Sequence, residues 1–356
     1  MSGVNGFHEL FNVMVEKGAS DLHLWVPSPP VLRIDGMLVP LQELSPVTAQ
    51  DVETLFNDIT TPEQKDIFNT ELDLDFAYSI PGLARLRVNA LRQRGTISLA
   101  FRLVPFDIPS FADLGLPQIL KRLVLKPRGL ILITGPTGCG KSTTLAAMIN
   151  YLNENDTRTV ITIEDPIEFL HSNKKCLIAQ RDLGDDTKSF AKALVHALRH
   201  DPDVIVVGEM RDADTMSTAI TAAETGHLVL GTLHTVDAVQ SVHRIVDMFP
   251  PNQQHQIITQ VSQVLDAVLS QSLVPRIGGG RVPACEVMIA NSTIRKLIRE
   301  QRVFELHRNM ELSTEEEGMQ TLNQALAELV RSGAVSQEEA MSKSSNPARL
   351  SSLLQL

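Results

Sequence analysis

The stretch GPTGCGKST, residues 135 to 143, constrains this chain more than any other. It follows an apolar run, GLILIT, and opens a helix-forming run, KSTTLAAMINYLNEN. A glycine-rich turn between a buried strand and a helix is a phosphate-binding P-loop, because its backbone N–H groups and the helix N-terminus converge on an anion. Gly135, Pro136, Thr137, Gly138, Cys139, Gly140, Lys141, Ser142 and Thr143 are therefore the candidate nucleotide-binding residues. Lys141 would reach the β- and γ-phosphates and Ser142 would ligate Mg²⁺, so ATP and Mg²⁺ are the expected cofactors. Cys139 lies beside the helix N-terminus, which favours a reactive thiolate.

The pattern around the loop sets the fold class. Apolar runs GLILITG, RTVITIEDP, DVIVVGE and HLVLGTLHT alternate with the helical segments KSTTLAAMINYLNEN and TKSFAKALVHALR. Such alternation predicts an α/β domain with a parallel sheet covered on both faces. It begins at about residue 118 and runs to 356, turning mainly helical beyond Pro250, apart from a hairpin around IGGGR. In HQIITQVSQVLDAVLSQSL, the residues Ile257, Ile258, Val261, Val264, Leu265 and Val268 fall on one helix face. The Ser-rich last fifteen residues are expected to be loosely held. Residues 1–104 read instead as a small α+β domain, with a first amphipathic helix and then hairpins turning at Asp35-Gly36 and Pro81-Gly82. Residues 105–117, PFDIPSFADLGLP, carry three prolines without a sustained period and read as a linker.

Acids at strand ends supply candidates for chemistry. DVIVVGEMRD resembles a Walker B strand, except that Gly208 stands where an aspartate often ends it and Glu209 comes next. A carboxylate at the C-terminal tip of a central strand sits where ligands bind in such sheets, so Glu209 is the candidate for orienting or deprotonating the attacking water. In TVITIEDPIEF, Glu164 and Asp165 occupy a similar tip and could hold Mg²⁺ through its waters, since this ion keeps much of its hydration shell.

GHLVLGTLHT, residues 226 to 235, carries a histidine near each end. Seven strand residues hold His227 and His234 on the order of 23 Å apart, so they cannot share one metal ion. His234 falls at the same sheet end as Lys141, Glu164 and Glu209, where an imidazole could bond a γ-phosphate and report its loss. His227 begins the strand, and geometry alone leaves a capping or interface role and a catalytic role equally open.

Composition removes other classes. A net charge of −10 and 4% aromatic residues argue against a nucleic-acid track, which needs basic grooves and stacking platforms. Three cysteines without CxxC spacing give neither a disulfide framework nor a zinc ribbon and fit a reducing cytoplasm. No secretory leader pattern and no apolar run near 18 residues is present, so a soluble protein is expected whose membrane role runs through partners.

GPTGCGKST, TIEDPIEF, RHDPDVIVVGEMRD and GHLVLGTLHT, in this order and spacing, resemble the Walker A, Asp, Walker B and His boxes of the secretion ATPase superfamily. Within it, SDLHL, PPVLRIDGMLVPL, FPPNQQ and STIRKLIRE are similar to the retraction motors of type IV pili, and the likeness covers nearly the whole chain. The resemblance implies a PAS-like N-terminal domain joined to a RecA-like ATPase domain, assembled as a homo-hexamer at the cytoplasmic face of the inner membrane on a pilus platform protein. It makes His227 part of the His box. It also implies that N-terminal arginines reach the phosphates, with Arg87, Arg92 and Arg94 of RLRVNALRQRG as matches or near matches. The family has its second arginine directly before the glycine after two amides, so the choice between Arg92 and Arg94 stays open. His200 replaces a more usual glutamine.

STIRKLIRE, residues 292 to 300, places Ile294, Leu297 and Ile298 on one apolar stripe that must bury against something, either the protein's own core or a partner. Arg295, Lys296, Arg299 and Glu300 take the remaining surface. The resemblance makes this segment the element that couples hydrolysis to retraction.

Overall fold

The computed structural model describes residues 4–34, 36–104, 107–314 and 317–355. It divides into two compact units, Met1–Phe106 and Asp107–Leu356. Asp35 of the expected first turn and Pro105 and Phe106 of the expected linker lie outside the described residues.

In the first unit, α1 (Val4–Glu16) buries Phe7, Leu10, Phe11 and Met14, an i, i+3, i+4, i+7 stripe. Strands β1 (Asp21–Leu24), β2 (Val31–Ile34) and β3 (Met37–Pro40) follow, then α2 (Ala49–Ile59) and α3 (Pro62–Glu71), each opened by a capping box. Strands β4 (Asp73–Ile80), β5 (Ala84–Gln93) and β6 (Thr96–Val104) complete an antiparallel six-stranded sheet of order β3-β2-β1-β6-β5-β4. Along β5 the side chains of Ala84, Leu86, Val88 and Ala90 enter the core while Arg87 stays exposed, the period-2 pattern of a sheet with one wet face. The two-residue turn Arg94-Gly95 that joins β5 to β6 has φ of 49° and 85°, matching the twist of a tight hairpin.

The second unit begins with α4 (Phe111–Leu114) and α5 (Ile119–Val124). Then come β7 (Gly129–Thr134), α6 (Lys141–Asn155), β8 (Thr159–Glu164), β9 (Leu177–Asp182), α7 (Phe190–Ala197), β10 (Val204–Val207), α8 (Ala213–Glu224) and β11 (Leu228–Leu233). After α9 (Ala238–Asp247) and α10 (Pro251–Val264), strands β12 (Leu265–Pro275) and β13 (Arg281–Ile289) close a seven-stranded sheet of order β13-β12-β7-β11-β10-β8-β9. All neighbours in it pair parallel except β12 with β13. Alternate residues of the central strands feed two cores, one beneath α8, α10 and α11 (Ser292–Arg299) and one beneath α5 and α6. Phe111 and Leu116, in the segment read as a linker, belong to the second of these cores. Among the described residues no helix is long and apolar enough to cross a membrane.

Two further expectations need correction. Residues 265–275 form strand β12, so Leu265 and Val268 leave the helix face on which Ile257, Ile258, Val261 and Val264 do lie. A strand buried on both faces and a buried helix are equally apolar in sequence; the unpaired edge of β7 decides, because its backbone groups need partners and β12 supplies them. The chain's end is not loose. After α12 (Leu306–Glu311), the helices α13 (Leu322–Arg331), α14 (Gln337–Lys343) and α15 (Pro347–Leu354) pack around Leu326, Ala340 and the fully buried Leu350, and Arg331 donates to the Leu353 carbonyl at 2.5 Å. Of the two destinations open to the α11 stripe, the protein's own core takes it: Ile294, Leu297 and Ile298 are 0, 5 and 1% exposed and pack with Val261, Leu306 and Met310.

One buried carboxylate ties these layers together. Glu286 of β13, 2% exposed, accepts from the Ala238 N–H at the start of α9 at 2.8 Å and from the Leu322 N–H at the start of α13 at 3.4 Å. Burial raises its carboxyl above the ordinary range, against the pull of the Ala238 N–H and of His307 at 3.6 Å.

Because the α11 stripe is core, Leu297→Ala and Ile298→Ala should each cost about 2–5 kcal/mol, whereas exposed Lys296→Ala should stay within about 0.5 kcal/mol. Urea midpoints of purified variants test this, and a Leu297→Ala/Ile298→Ala protein as stable as the parent would contradict it.

Candidate nucleotide site

The phosphate loop leaves β7, whose six residues are all buried, and re-enters the fold as α6. Its glycines are required by space and by backbone sign. A Cβ on Gly135 would meet the Gln271 carbonyl oxygen at 2.4 Å and Cys139 Sγ at 2.6 Å, and Gly138 and Gly140 have φ of 77° and 91°. Gly140 starts α6 without any side-chain cap, so the first N–H groups of that helix face the cleft. Lys141 Nζ donates to the carbonyls of Gly135 at 2.8 Å and Pro136 at 3.2 Å, which folds the ammonium over the loop's mouth. Thr137, Gly138, Gly140, Lys141, Ser142 and Thr143 line a cleft of about 520 Å³.

The strand ends supply the opposite wall. Glu164, Asp165, Glu209 and His234 line the same cleft. A Cβ on Gly208 would lie 3.1 Å from the Ile163 carbonyl oxygen and 3.2 Å from Glu164 Cα, so a side chain at 208 would crowd the backbone of β8, and the acid comes one residue later. Glu209 receives Arg211 Nε at 2.6 Å and His234 Nε2 at 3.0 Å. Burial would raise its carboxyl, but the hydrogen bond from Arg211 and the charges of His234 and Arg211 hold it below the ordinary carboxylate range. His234 Nδ1 lies 3.5 Å from Thr137 Oγ1, so one imidazole spans from the acid to the phosphate loop.

Glu164 has the contrary environment. Thr162 Oγ1 and Gln180 Nε2 donate to its Oε1 at 2.6 and 3.0 Å, and no cationic side chain among the described residues pairs with it. Burial, the largest influence, nevertheless raises its carboxyl above the ordinary range. A half-buried acid lacking a counter-charge beside a phosphate cradle suits a hydrated divalent cation. Among the described residues no three His, Cys, Asp or Glu side chains gather into a metal cage, so such an ion would take its other ligands from phosphate and water.

Other expectations fall elsewhere. His227 stands at the far end of β11, outside the cleft. Its Nδ1 is 2.9 Å from the Ala222 carbonyl oxygen, which can only accept, so Nδ1 carries the hydrogen and caps the end of α8. Arg87, Arg92 and Arg94 belong to the first unit, where Arg87 Nε is 3.8 Å from Asp75, Arg92 lies over the Phe68 ring at 5.6 Å and Arg94 sits in the β5–β6 turn. Cys139 is buried, and burial raises its thiol above the ordinary value despite Lys141, so the expected thiolate is overturned. In α11, Arg295 donates to the Ser262 carbonyl and to Asp266 Oδ1 at 3.1 and 2.8 Å, and Arg299 Nε reaches Ser262 Oγ at 3.4 Å. Glu300 stays outside, paired with Arg302 at 3.2 Å. Among the residues at the site that escaped sequence reasoning are Arg211, whose only signal is its place two residues after Glu209, and Gln180, on a strand with no clear alternation.

Comparison with known proteins gives the site its context. The family model described as "Type II/IV secretion system protein" matches residues 6–279. The chain is 46% identical over 339 residues to "Type IV pilus retractation ATPase PilT" of Pseudomonas aeruginosa, covering 95% of this chain and 98% of that one. It is 44% identical over 325 residues to "Twitching motility protein" of Neisseria gonorrhoeae, covering 90% and 86%. The solved structure "Crystal Structure of the Pilus Retraction Motor PilT and Bound ADP" superposes with a TM-score of 0.89 at 45% identity, covering 97% of this chain and 98% of that one.

The two acids generate a test by pH. Glu164 has a raised carboxyl in the fold, so the stability it contributes is complete below the unfolded carboxyl's pKa and is lost as pH rises through the folded value. Glu164→Gln is neutral throughout and should melt above the parent at about pH 8, the gap closing toward about pH 4; a gap independent of pH would contradict the burial argument. Cys139, for its part, should react with iodoacetamide far more slowly in the native protein than after denaturation, as mass spectrometry of the labelled peptide would read.

Proposed function

The chain belongs to the type II/IV secretion system protein family, and from that premise we propose that it is the ATP-hydrolysing motor that retracts type IV pili. It works as a homo-hexameric ring at the cytoplasmic face of the inner membrane, against a platform protein of the pilus machine. The observation that carries the enzymatic reading is the line of contacts from Glu209 through His234 to Thr137, because it joins a strand-end acid to the loop that cradles phosphate. Retraction as the direction of work is supported by likeness along nearly the whole length of proteins named for retraction and twitching.

The roles follow from chemistry. Loop N–H groups and the start of α6 hold the phosphates, and Lys141 exchanges its loop carbonyls for β- and γ-phosphate oxygens. Glu209, kept ionised by Arg211 and His234, accepts a hydrogen bond from the attacking water and takes its proton as the water's oxygen bonds to the γ-phosphorus and the bond to the β–γ bridging oxygen breaks, ADP leaving with that oxygen. His234 registers departure of the γ-phosphate through the same contacts. Mg²⁺ supplies charge neutralisation on the phosphates when bound; Ser142 would hold it directly, and Glu164 and Asp165 through its waters. Arg87 with Arg92 or Arg94 reaches phosphates in the ring, and His227 acts at a subunit boundary. The α11 stripe transmits motion of the core to Lys296, Arg299 and Glu300 on its outer side.

Two variants separate binding from chemistry. Lys141→Ala should lose affinity for a fluorescent ATP analogue, whereas Glu209→Gln should bind it and hydrolyse about 10²–10⁴-fold more slowly. Wild-type turnover in Glu209→Gln would overturn its assignment. In cells, deletion should stop twitching while surface pili become more abundant; fewer pili would instead make the chain an extension motor.

A further inference from the structure

We propose that Gln180 is a positioning residue for Glu164: from the edge strand β9 it fixes the carboxylate that faces the phosphates and ties down the loop covering that end of the cleft. The inference rests on the reading of Glu164 as the acid that acts on the metal–nucleotide complex.

Every polar atom of the Gln180 amide is used. Nε2 donates to Glu164 Oε1 at 3.0 Å and to the Phe169 carbonyl at 2.8 Å, and Oε1 accepts from the His171 N–H at 2.8 Å. Gln180 stands opposite Thr162 in the parallel β8–β9 register, and Thr162 Oγ1 donates to the same Glu164 oxygen at 2.6 Å. Two donors at one register position on neighbouring strands thus converge on a single oxygen, which fixes the plane of the carboxylate. The other two contacts grip the β8–β9 connection, whose Glu168, Phe169 and His171 line the cleft. Only an amide meets all three demands. A glutamate here could not donate to the Phe169 carbonyl, and it would set a second negative charge against Glu164, whose ionisation Asp182 already opposes. A methionine would keep the volume and lose every bond. Hydrogen-bond partners behind a metal-site acid set its orientation, and their removal commonly lowers metal affinity about 10–100-fold.

The test uses the full chain, with Gln180→Met, Gln180→Glu and Glu164→Gln compared with the parent. In metal-free protein, hydrogen exchange of the His171 amide and of residues 165–176 should quicken in Gln180→Met, while Gln180→Glu, which keeps an acceptor for His171, should leave that amide protected. The Mg²⁺ concentration giving half-maximal retention of a fluorescent ATP analogue should rise about 10–100-fold in both Gln180 variants, with affinity measured in EDTA unchanged. An unaltered Mg²⁺ midpoint in both, beside a shifted one in Glu164→Gln, would overturn the positioning role. Unaltered midpoints in all three would overturn the reading of Glu164 itself. Should Gln180→Met fail to fold, Gln180→Glu decides alone.

Discussion

Val207 of β10 stands opposite Ile163 of β8 on one side and Gly231 of β11 on the other, and Leu233 of β11 stands opposite Thr134 of β7. This parallel register is the constraint on which the site depends. It brings four strand ends to one level, so the phosphate loop, Glu164, Glu209 and His234 meet although 99 residues separate Gly135 from His234. Parallel strands also need long crossover connections, and the helical ones are what bury the sheet on both faces, whereas a loop joins β8 to β9.

The charged side chains of the cleft have partners within the chain. Lys141 rests on the carbonyls of its own loop, Glu209 on Arg211 and His234, and Glu164 on Thr162 and Gln180. A bound nucleotide would therefore exchange hydrogen bonds with these groups, and each contact it gains is offset by one it replaces. Glu286 extends the same economy to the scaffold: a single buried carboxylate serves the starts of α9 and α13, and α9 begins four residues after His234.

Much of this was legible in the sequence, and the limits have physical causes. The loop, β7, β8, β10 and β11 declare themselves because a strand buried on both faces must be continuously apolar. Glu209 and His234 could be assigned to one end of the sheet by counting along those strands. β12 could not be told from a helix, since what selects it is the bare edge of β7, a fact about a partner 135 residues away when counted from Leu130 to Leu265. Gln180 sits on an edge strand whose exposure alternates weakly, and an amide that bonds across a loop leaves no spacing to detect. Arg211 and the raised carboxyl of Glu164 depend on distances of a few ångströms, which no periodicity encodes. Cys139 misled because the helix dipole is visible in sequence and desolvation is not.

Gly208 shows how backbone spacing can write a catalytic motif. With the Ile163 carbonyl and Glu164 Cα closing over it, position 208 takes a side chain only if β8 gives by a few tenths of an ångström. The acid follows one residue later, in the turn beyond the strand, where Arg211 and His234 both touch it. The departure from the common pattern is thus a matter of carpentry as well as of chemistry: two planks laid this close make a side chain at the joint a tight fit, and the functional group hangs on the next peg.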